Sequence, residues 1–218
     1  MGTSVVDKNL VPIAGKCAFL RVIDAFIESR MISDCIIVIR SDAQKDAIRY
    51  LLGNRTSLPT QWIQGGTERH LSVAAALDHL KANTQLVFIH DCARPLITPQ
   101  SIRDVGALAA QHGAATLART VTDTIKKIAP SDDSTAFHLT DLPRSELRSM
   151  ETPQVFQRDL ILKAYKNRDA LITDDTAALA AIHHPIALYE PKHPNPKITH
   201  PDDLAWIEFL LNATHTNQ

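Results

Sequence analysis

Residues 86–95 read Leu86-Val87-Phe88-Ile89-His90-Asp91-Cys92-Ala93-Arg94-Pro95, a short apolar run that leads into a carboxylate and a guanidinium three residues apart. Four consecutive apolar residues, two of them β-branched and all followed by a polar turn and a proline, predict a buried strand over Leu86 to Ile89. Asp91 and Arg94 then stand on the loop beyond the strand's carboxyl end, where open α/β sheets bind ligands. Two readings of the loop stay open on this stretch alone. It is either a salt-bridged loop closing a strand, a contact worth little by itself, or one wall of a site.

On either side of this unit, apolar runs of strand character alternate with segments of helical period, the pattern of a mostly parallel sheet covered by helices. Phe19, Val22, Ile23, Phe26 and Ile27 recur at helical spacing and mark an amphipathic helix that starts near Gly15-Lys16. Cys35 to Arg40 reads as a central strand, 42–52 as a helix, Thr60 to Ile63 as a short strand and Glu68 to Lys81 as an alanine- and leucine-rich helix. Beyond the strand at Leu86 come a helix over 99–111 and a strand over 114–118. From Val121 to Pro153 the texture turns polar. Two β-like stretches there, Thr122 to Ile128 and Thr135 to Thr140, flank Ala129-Pro130-Ser131-Asp132-Asp133 and predict a hairpin that projects from the sheet. A projecting hairpin has little core of its own and needs a packing partner, for which a second subunit is the natural candidate. Helices over 159–167 and 174–183, a strand over 186–189 and a terminal helix over 201–211 complete the chain. That last helix carries Pro201 at its first turn, followed by Asp202 and Asp203, which favour its dipole.

The 218 residues are 44% hydrophobic and 5% aromatic, the composition of one ordinary globular domain, taken as 1–218 with an arm over 121–151. Lysine and arginine number 23 against 24 acidic residues, so no net basic field favours nucleic acid, and any anion site is local. Cys17, Cys35 and Cys92 are scattered without CxxC spacing, which argues against a disulfide framework or a zinc site and for a reducing cytoplasm. No apolar stretch approaches about 20 residues, so no membrane partner is expected.

The seven glycines form neither GxGxxG nor GxxxxGK[ST], so a dinucleotide oxidoreductase or P-loop ATPase has no support. A pair does occur at Gly65-Gly66, at a strand end and ahead of a helix. Backbone amides can approach a ligand closely there, and the helix N-terminus points its own amides the same way. With Arg69 and Ser72 close behind, this segment is a pocket candidate.

Six ordered stretches together carry a resemblance. They are Gly65 to Leu77 (GGTERHLSVAAAL), His90 to Pro95, Asp123-Thr124-Ile125-Lys126, Thr152-Pro153-Gln154-Val155-Phe156, Thr173-Asp174-Asp175, and Lys197-Ile198-Thr199 with Pro201-Asp202-Asp203-Leu204. In order and spacing the chain from Asp7 onward resembles the 2-C-methyl-D-erythritol 4-phosphate cytidylyltransferases. That resemblance implies a Rossmann-like nucleotidyltransferase fold, a homodimer joined through a protruding β-arm, and transfer of a cytidylyl group from CTP to methylerythritol phosphate with release of pyrophosphate.

Position by position, the resemblance places Gly66, Thr67 and Ser72 around the cytosine and ribose of CTP, with Thr67 where some relatives carry aspartate. Lys8 corresponds to the lysine of the family's Pro-Lys-Gln segment at the triphosphate, flanked here by Asp7 and Asn9 instead. Asp91, Arg94, Thr152 and Thr173 fall around the sugar-alcohol substrate and Lys197 beside the reacting phosphate. Thr124 and Arg144 would reach that substrate from the partner's arm. The family's first strand and arginine-bearing glycine-rich loop would precede Met1. The expectation is therefore a sheet without its first strand, with unpaired backbone edges, and without most of the triphosphate cradle.

These residue types suit the chemistry. A phosphate monoester oxygen is already an anionic nucleophile, so attack on an α-phosphorus asks for charge neutralisation and alignment more than for a base. Mg²⁺ or another divalent cation would be held mainly by the triphosphate oxygens, since it keeps several waters and asks few protein carboxylates. Two other readings remain: a cytidylyltransferase for a pentitol phosphate such as ribitol 5-phosphate, and a catalytically weak or silent homodimeric binding protein.

Overall fold

The computed structural model describes residues 7–53, 58–129, 135–166 and 173–215. A two-residue hairpin, β1 (Pro12–Ile13) with β2 (Lys16–Cys17), leads into α1 (Ala18–Ser29), then β3 (Cys35–Ile39), α2 (Asp42–Leu52), β4 (Thr60–Gln64), α3 (Arg69–Leu77) and β5 (Leu86–Ile89). There follow α4 (Pro99–His112), β6 (Ala114–Thr120), the arm strands β7 (Lys126–Ile128) and β8 (Leu139–Asp141), and β9 (Arg148–Gln157). The chain ends with α5 (Arg158–Ala164), α6 (Asp175–Ala180), β10 (Ala187–Tyr189) and α7 (Asp202–His215).

The main sheet runs β10-β6-β9-β5, and β3 pairs in parallel with β4 as a separate ribbon. β6 and β10 are parallel, whereas β9 is antiparallel to both of its neighbours, so one strand of a mostly parallel architecture is reversed. That strand departs from the sequence expectation, which assigns 121–151 to the arm and gives no strand over 148–157. Pro153 argues against a central strand because it has no N–H to give. The sheet accommodates it at a register shift opposite Thr116 and Ala118, where ladder donors are not required. Residues 148–150 pair with 118–120, and 154–156 with 114–116.

Alternation along β9 and β6 divides the core between the two faces of this sheet. Phe156 and Ala114 face a cluster with Leu77 of α3, Ile161 of α5 and Leu179 of α6. Val155, Ala115 and Leu117 face the other side, with Val22 and Phe26 of α1 and Ile102 and Val105 of α4. α1 also spans to the ribbon, where Phe19, Leu20 and Ile23 pack on Ile37 and Ile39 of β3. Ile27, expected on the apolar face, is 36% exposed, and α1 closes at Arg30 in the left-handed region (φ 58°).

Among the described residues β3 pairs only with β4, and β5 only with β9. Between the two strands lies an apolar slot of about 1000 Å³, lined by α1, α3 and both strands, which opens onto His90, Asp91 and Arg69. The expected missing strand and glycine-rich loop concern sequence ahead of Met1, and residues 1–6 lie outside the described residues. Within them the sheet is in two pieces. Most other elements match the sequence expectations to within a few residues. α3 is shorter at its C-terminal end than expected, giving way to turns at 78–81.

Phe156 is fully buried at the centre of its cluster. Phe156→Ala is expected to remove about 3–5 kcal/mol of unfolding free energy in chemical denaturation. A loss below about 1 kcal/mol would contradict this packing.

Candidate active site

The site forms where β4, β5 and the middle of β9 end or pass near α3, α6 and the segment before α7. β5 delivers the 90–95 loop, turned by an Arg94 N–H to Asp91 C=O bond of 2.9 Å. Because β9 runs antiparallel to β5, with Gln154 opposite Ile89, Thr152 arrives beside the strand end. Thr152 is buried and its hydroxyl is committed. Its Oγ1 accepts the Asp91 N–H at 3.1 Å and lies 3.0 Å from His90 Nδ1. His90 Nε2 lies 3.2 Å from the Arg94 carbonyl, which can only accept, so Nε2 carries the proton and Nδ1 accepts from Thr152. Burial holds His90 in this neutral form and lowers its pKa to about 4, against the opposing pull of Asp91.

Asp91 is the centre of charge. Its Oδ1 accepts from Arg69 Nε at 3.1 Å and its Oδ2 from Lys197 Nζ at 2.8 Å. Burial would push this carboxyl up, but the Arg69 and Lys197 cations outweigh it and hold Asp91 at about 2. The bland reading of the 90–95 loop, an ion pair between Asp91 and Arg94, is not what forms. Arg94 instead turns away and donates from Nη1 to the Asn195 carbonyl at 2.9 Å and from Nη2 toward the Met150 carbonyl at 3.4 Å. Burial lowers its pKa, partly opposed by Glu151 and Asp91. Arg94 thereby ties the 193–198 segment to β9, while Asn195 Nδ2 donates to the Thr152 carbonyl at 3.0 Å.

The N-terminal segment comes to the same place. Lys8 Nζ donates to the Ile198 carbonyl at 2.6 Å across 190 residues of sequence. The Ile198 N–H donates to Ala93 C=O at 2.8 Å, and Ile13, Ala18, Ala93, Ile198 and Ile207 form one small apolar cluster beneath. That cluster is why two lysines from opposite ends of the chain share one wall. Lys8 is exposed, free to turn toward an anion.

On the other wall, Gly65 and Gly66 follow β4. A Cβ on Gly66 would lie 2.5 Å from Leu71 Cβ, and one on Gly65 would lie 2.9 Å from Ser72 Oγ, so the close turn requires glycine at both. Ser72 Oγ accepts the Gly66 N–H at 3.1 Å and donates to the Glu68 carbonyl at 3.1 Å, which shapes the loop. Thr67 and Thr173 are exposed, Thr67 at this loop and Thr173 just ahead of α6. Thr124 and Arg144 are exposed on the arm. Arg144 donates to the Thr122 carbonyl at 2.7 Å, and among the described residues no hydrogen bond or ion pair joins either residue to the site of its own chain.

Sequence reasoning left several residues of this site without a role. Asp174 caps α6 by accepting the Ala177 N–H at 2.9 Å and also accepts from buried Gln154 Nε2 at 2.9 Å. Its neighbour Asp175 is fully buried and binds Arg69 and Tyr165. Two adjacent aspartates at a helix start carry no sequence signal for which one turns inward. Among the described residues no group of three or more His, Cys, Asp or Glu side chains gathers to hold a metal, and Asp91 and Asp175 are already paired with cations.

The neutral state of half-buried His90 gives a pH expectation. Its folded pKa lies below the usual 6.5, so its contribution to stability is complete above pH 6.5 and is lost as pH falls toward 4. In urea unfolding at a series of pH values, wild type is expected to weaken across that window, and His90→Gln to weaken less. Equal slopes would contradict a neutral imidazole held between Thr152 and the Arg94 carbonyl.

Comparison with known proteins agrees with this geometry. Residues 2–213 match the family model described as IspD, 2-C-methyl-D-erythritol 4-phosphate cytidylyltransferase. The chain is 34% identical over 207 residues to the protein of that name from Symbiobacterium thermophilum, covering 94% of this chain and 84% of the relative. With the Clostridium novyi protein of that name it shares 33% identity over 219 residues, covering 97% and 91%. The crystal structure of the Thermus thermophilus cytidylyltransferase superposes with a TM-score of 0.76 at 27% identity, covering 94% of each chain. The Anaerococcus prevotii 4-diphosphocytidyl-2C-methyl-D-erythritol synthase structure, at 24% identity, shares the fold with a TM-score of 0.84 over 97% of this chain and 92% of that one. With its family model matched almost end to end and its charged site assembled at the strand ends, the chain belongs to the 2-C-methyl-D-erythritol 4-phosphate cytidylyltransferase family.

Proposed function

We propose that this protein transfers a cytidylyl group from CTP to 2-C-methyl-D-erythritol 4-phosphate, releasing pyrophosphate, in the synthesis of isoprenoid precursors. The observation that carries the reading is the meeting of Lys8 with the Lys197-Ile198 segment beside Asp91, from opposite ends of the chain. The monoester oxygen of the sugar-alcohol phosphate attacks the α-phosphorus of CTP. A new P–O bond forms as the bond to the pyrophosphate oxygen breaks. Lys8 and Lys197 are the cations that neutralise the phosphates there, and positioning with electrostatic stabilisation supplies nearly all the catalysis in such transfers.

The glycine pair with Thr67 and Ser72 receives the nucleoside. Asp91, Arg94, Thr152 and Thr173 frame the sugar-alcohol pocket, with Thr152 and Arg94 acting through the loop and segment they hold. A divalent cation such as Mg²⁺ would enter on the triphosphate oxygens and neutralise their charge, since it keeps several waters and asks few protein carboxylates.

We read 1–218 as one nucleotidyltransferase domain with 121–151 as its dimerisation arm. Ile125, Ile128, Phe137 and Leu139 are exposed along that arm, and a second copy would cover such side chains while bringing Thr124 and Arg144 to its partner's site. Cys17, Cys35 and Cys92 are free thiols, which suits a cytoplasmic setting, and no helix among the described residues is long and apolar enough to cross a membrane.

Pyrophosphate release is expected with CTP, Mg²⁺ and methylerythritol phosphate. Turnover of ribitol 5-phosphate alone would instead assign the pentitol reading, and absence of CTP binding in calorimetry would leave a silent binding protein. Lys197→Ala is expected to lower kcat by about 100-fold. Arg144→Ala should raise the KM for methylerythritol phosphate while CTP affinity stays the same. Comparable losses for both ligands would refute the division of labour between arm and nucleotide pocket.

A further inference from the structure

Arg69 stands between two carboxylates that otherwise have no contact with each other. From the first turn of α3 its Nε donates to Asp91 Oδ1 at 3.1 Å and its Nη2 to Asp175 Oδ2 at 2.8 Å. The Asp175 side chain is 0% exposed, and its second oxygen accepts the Tyr165 hydroxyl at 2.5 Å. A carboxylate taken wholly out of water is costly unless a cation meets it in good geometry. Asp175 is in this way a fixed point inside the fold, locked by α6 and α5, and Arg69 is bound to it.

We infer that Arg69, anchored on Asp175, is a positioning residue for the transfer reaction: it sets the plane of the Asp91 carboxylate and so the place of the Lys197 ammonium. An aspartate carboxylate turns readily about its last bond. Here Oδ1 is claimed by a guanidinium that cannot swing, and Oδ2 is left facing Lys197 Nζ at 2.8 Å. The backbone N–H of Asp91 is fixed independently by Thr152. Lys197 itself is 42% exposed on its side chain and lies on a segment without regular secondary structure, so its ammonium owes its position to this pair.

The fork matters as much as the charge. A planar guanidinium serves two carboxylates at a set separation and angle, whereas an ammonium on a flexible stem offers a single charged point. The four groups Asp175, Arg69, Asp91 and Lys197 sum to zero net charge. Removing the anchor therefore leaves Arg69 free to turn both donors onto Asp91 and displace Lys197.

This inference rests on the proposed cytidylyl transfer, and its test has one arm that does not. In the unliganded protein, carboxyl ¹³C titration by NMR should show Asp91 titrating near 2 in wild type. Arg69→Gln should move it upward by at least about one unit, since one of its two cations is gone. Asp175→Asn should leave Asp91 low, because Arg69 then serves it alone.

In pyrophosphate-release kinetics, Asp175→Asn and Arg69→Lys are each expected to lower kcat/KM for the sugar-alcohol phosphate by about 10- to 100-fold, the scale of a misplaced reacting group. The Kd for CTP should stay within about twofold in the same variants, by the division of labour drawn above. Arg69→Lys keeps the positive charge, and thermal melts of all variants show which remain folded. Unchanged kcat/KM in folded Arg69→Lys and Asp175→Asn, or an equal loss of CTP affinity, overturns the positioning role. Should wild type release no pyrophosphate with any sugar-alcohol phosphate, the functional reading fails. The titration then decides the network alone, and an Asp91 unmoved by Arg69→Gln overturns it.

Discussion

The insertion of β9 in reverse between β5 and β6 is the constraint on which the other features depend. One ten-residue strand gives Val155 to one core and Phe156 to the other, so both helical layers are registered against a single ladder. The same strand passes Thr152 beside His90 and Asp91 and sends buried Gln154 to the start of α6, where its amide bonds Asp174 and the Thr176 N–H. A one-residue slip would exchange every inward and outward side chain. The apolar cores and the polar framework of the site are thereby fixed by one register.

Burial then sorts the charges of the site into two kinds. Asp175 is fully buried and His90 half-buried, and both are held by specific partners: Arg69 for the carboxylate, Thr152 and the Arg94 carbonyl for the neutral imidazole. Lys8 is exposed and Lys197 is 42% exposed on its side chain, so both keep a solvated side while Asp91 and the Ile198 carbonyl hold their ammonium groups at the site. Such a division suits a polyanionic ligand. The buried groups supply a frame that is already organised, and the exposed cations exchange water for phosphate without the penalty of a buried, unmatched charge. The apolar slot between β3 and β5 opens onto this frame, so the strand edges that have no ladder partner among the described residues lie beside the charged loop.

Much of the site was legible in the sequence because it is local. The strand–loop unit 86–95 and the glycine pair followed by α3 are each contained in a dozen residues or so, and their turn chemistry is written in consecutive positions. The roles within the site were less legible. Arg94, three residues from Asp91, invited an ion pair but serves Asn195 instead, while Asp91 is paired with Arg69 and Lys197 from distant segments. Thr152 Oγ1 braces the loop between the Asp91 N–H and His90 Nδ1, a contact that local sequence does not announce. β9 escaped notice because Pro153 contradicts a central strand by every local rule, and only the register shift on its partner β6 makes room for it.

The alternation of helix and strand, the loop at the end of β5, the β7–β8 hairpin and the family to which the ordered motifs belong were all set by the order of residues along the chain. Those features rest on periodicity, turn residues and spacing, which are properties of neighbouring positions. Three others were settled only once the chain had packed: that Asp175 rather than Asp174 turns inward to hold Arg69, that Lys8 reaches Ile198, and that one strand of the sheet runs backward. All three share one cause. Each depends on which distant group removes a charge or a backbone donor from water, and that partner is assigned by packing rather than by local sequence.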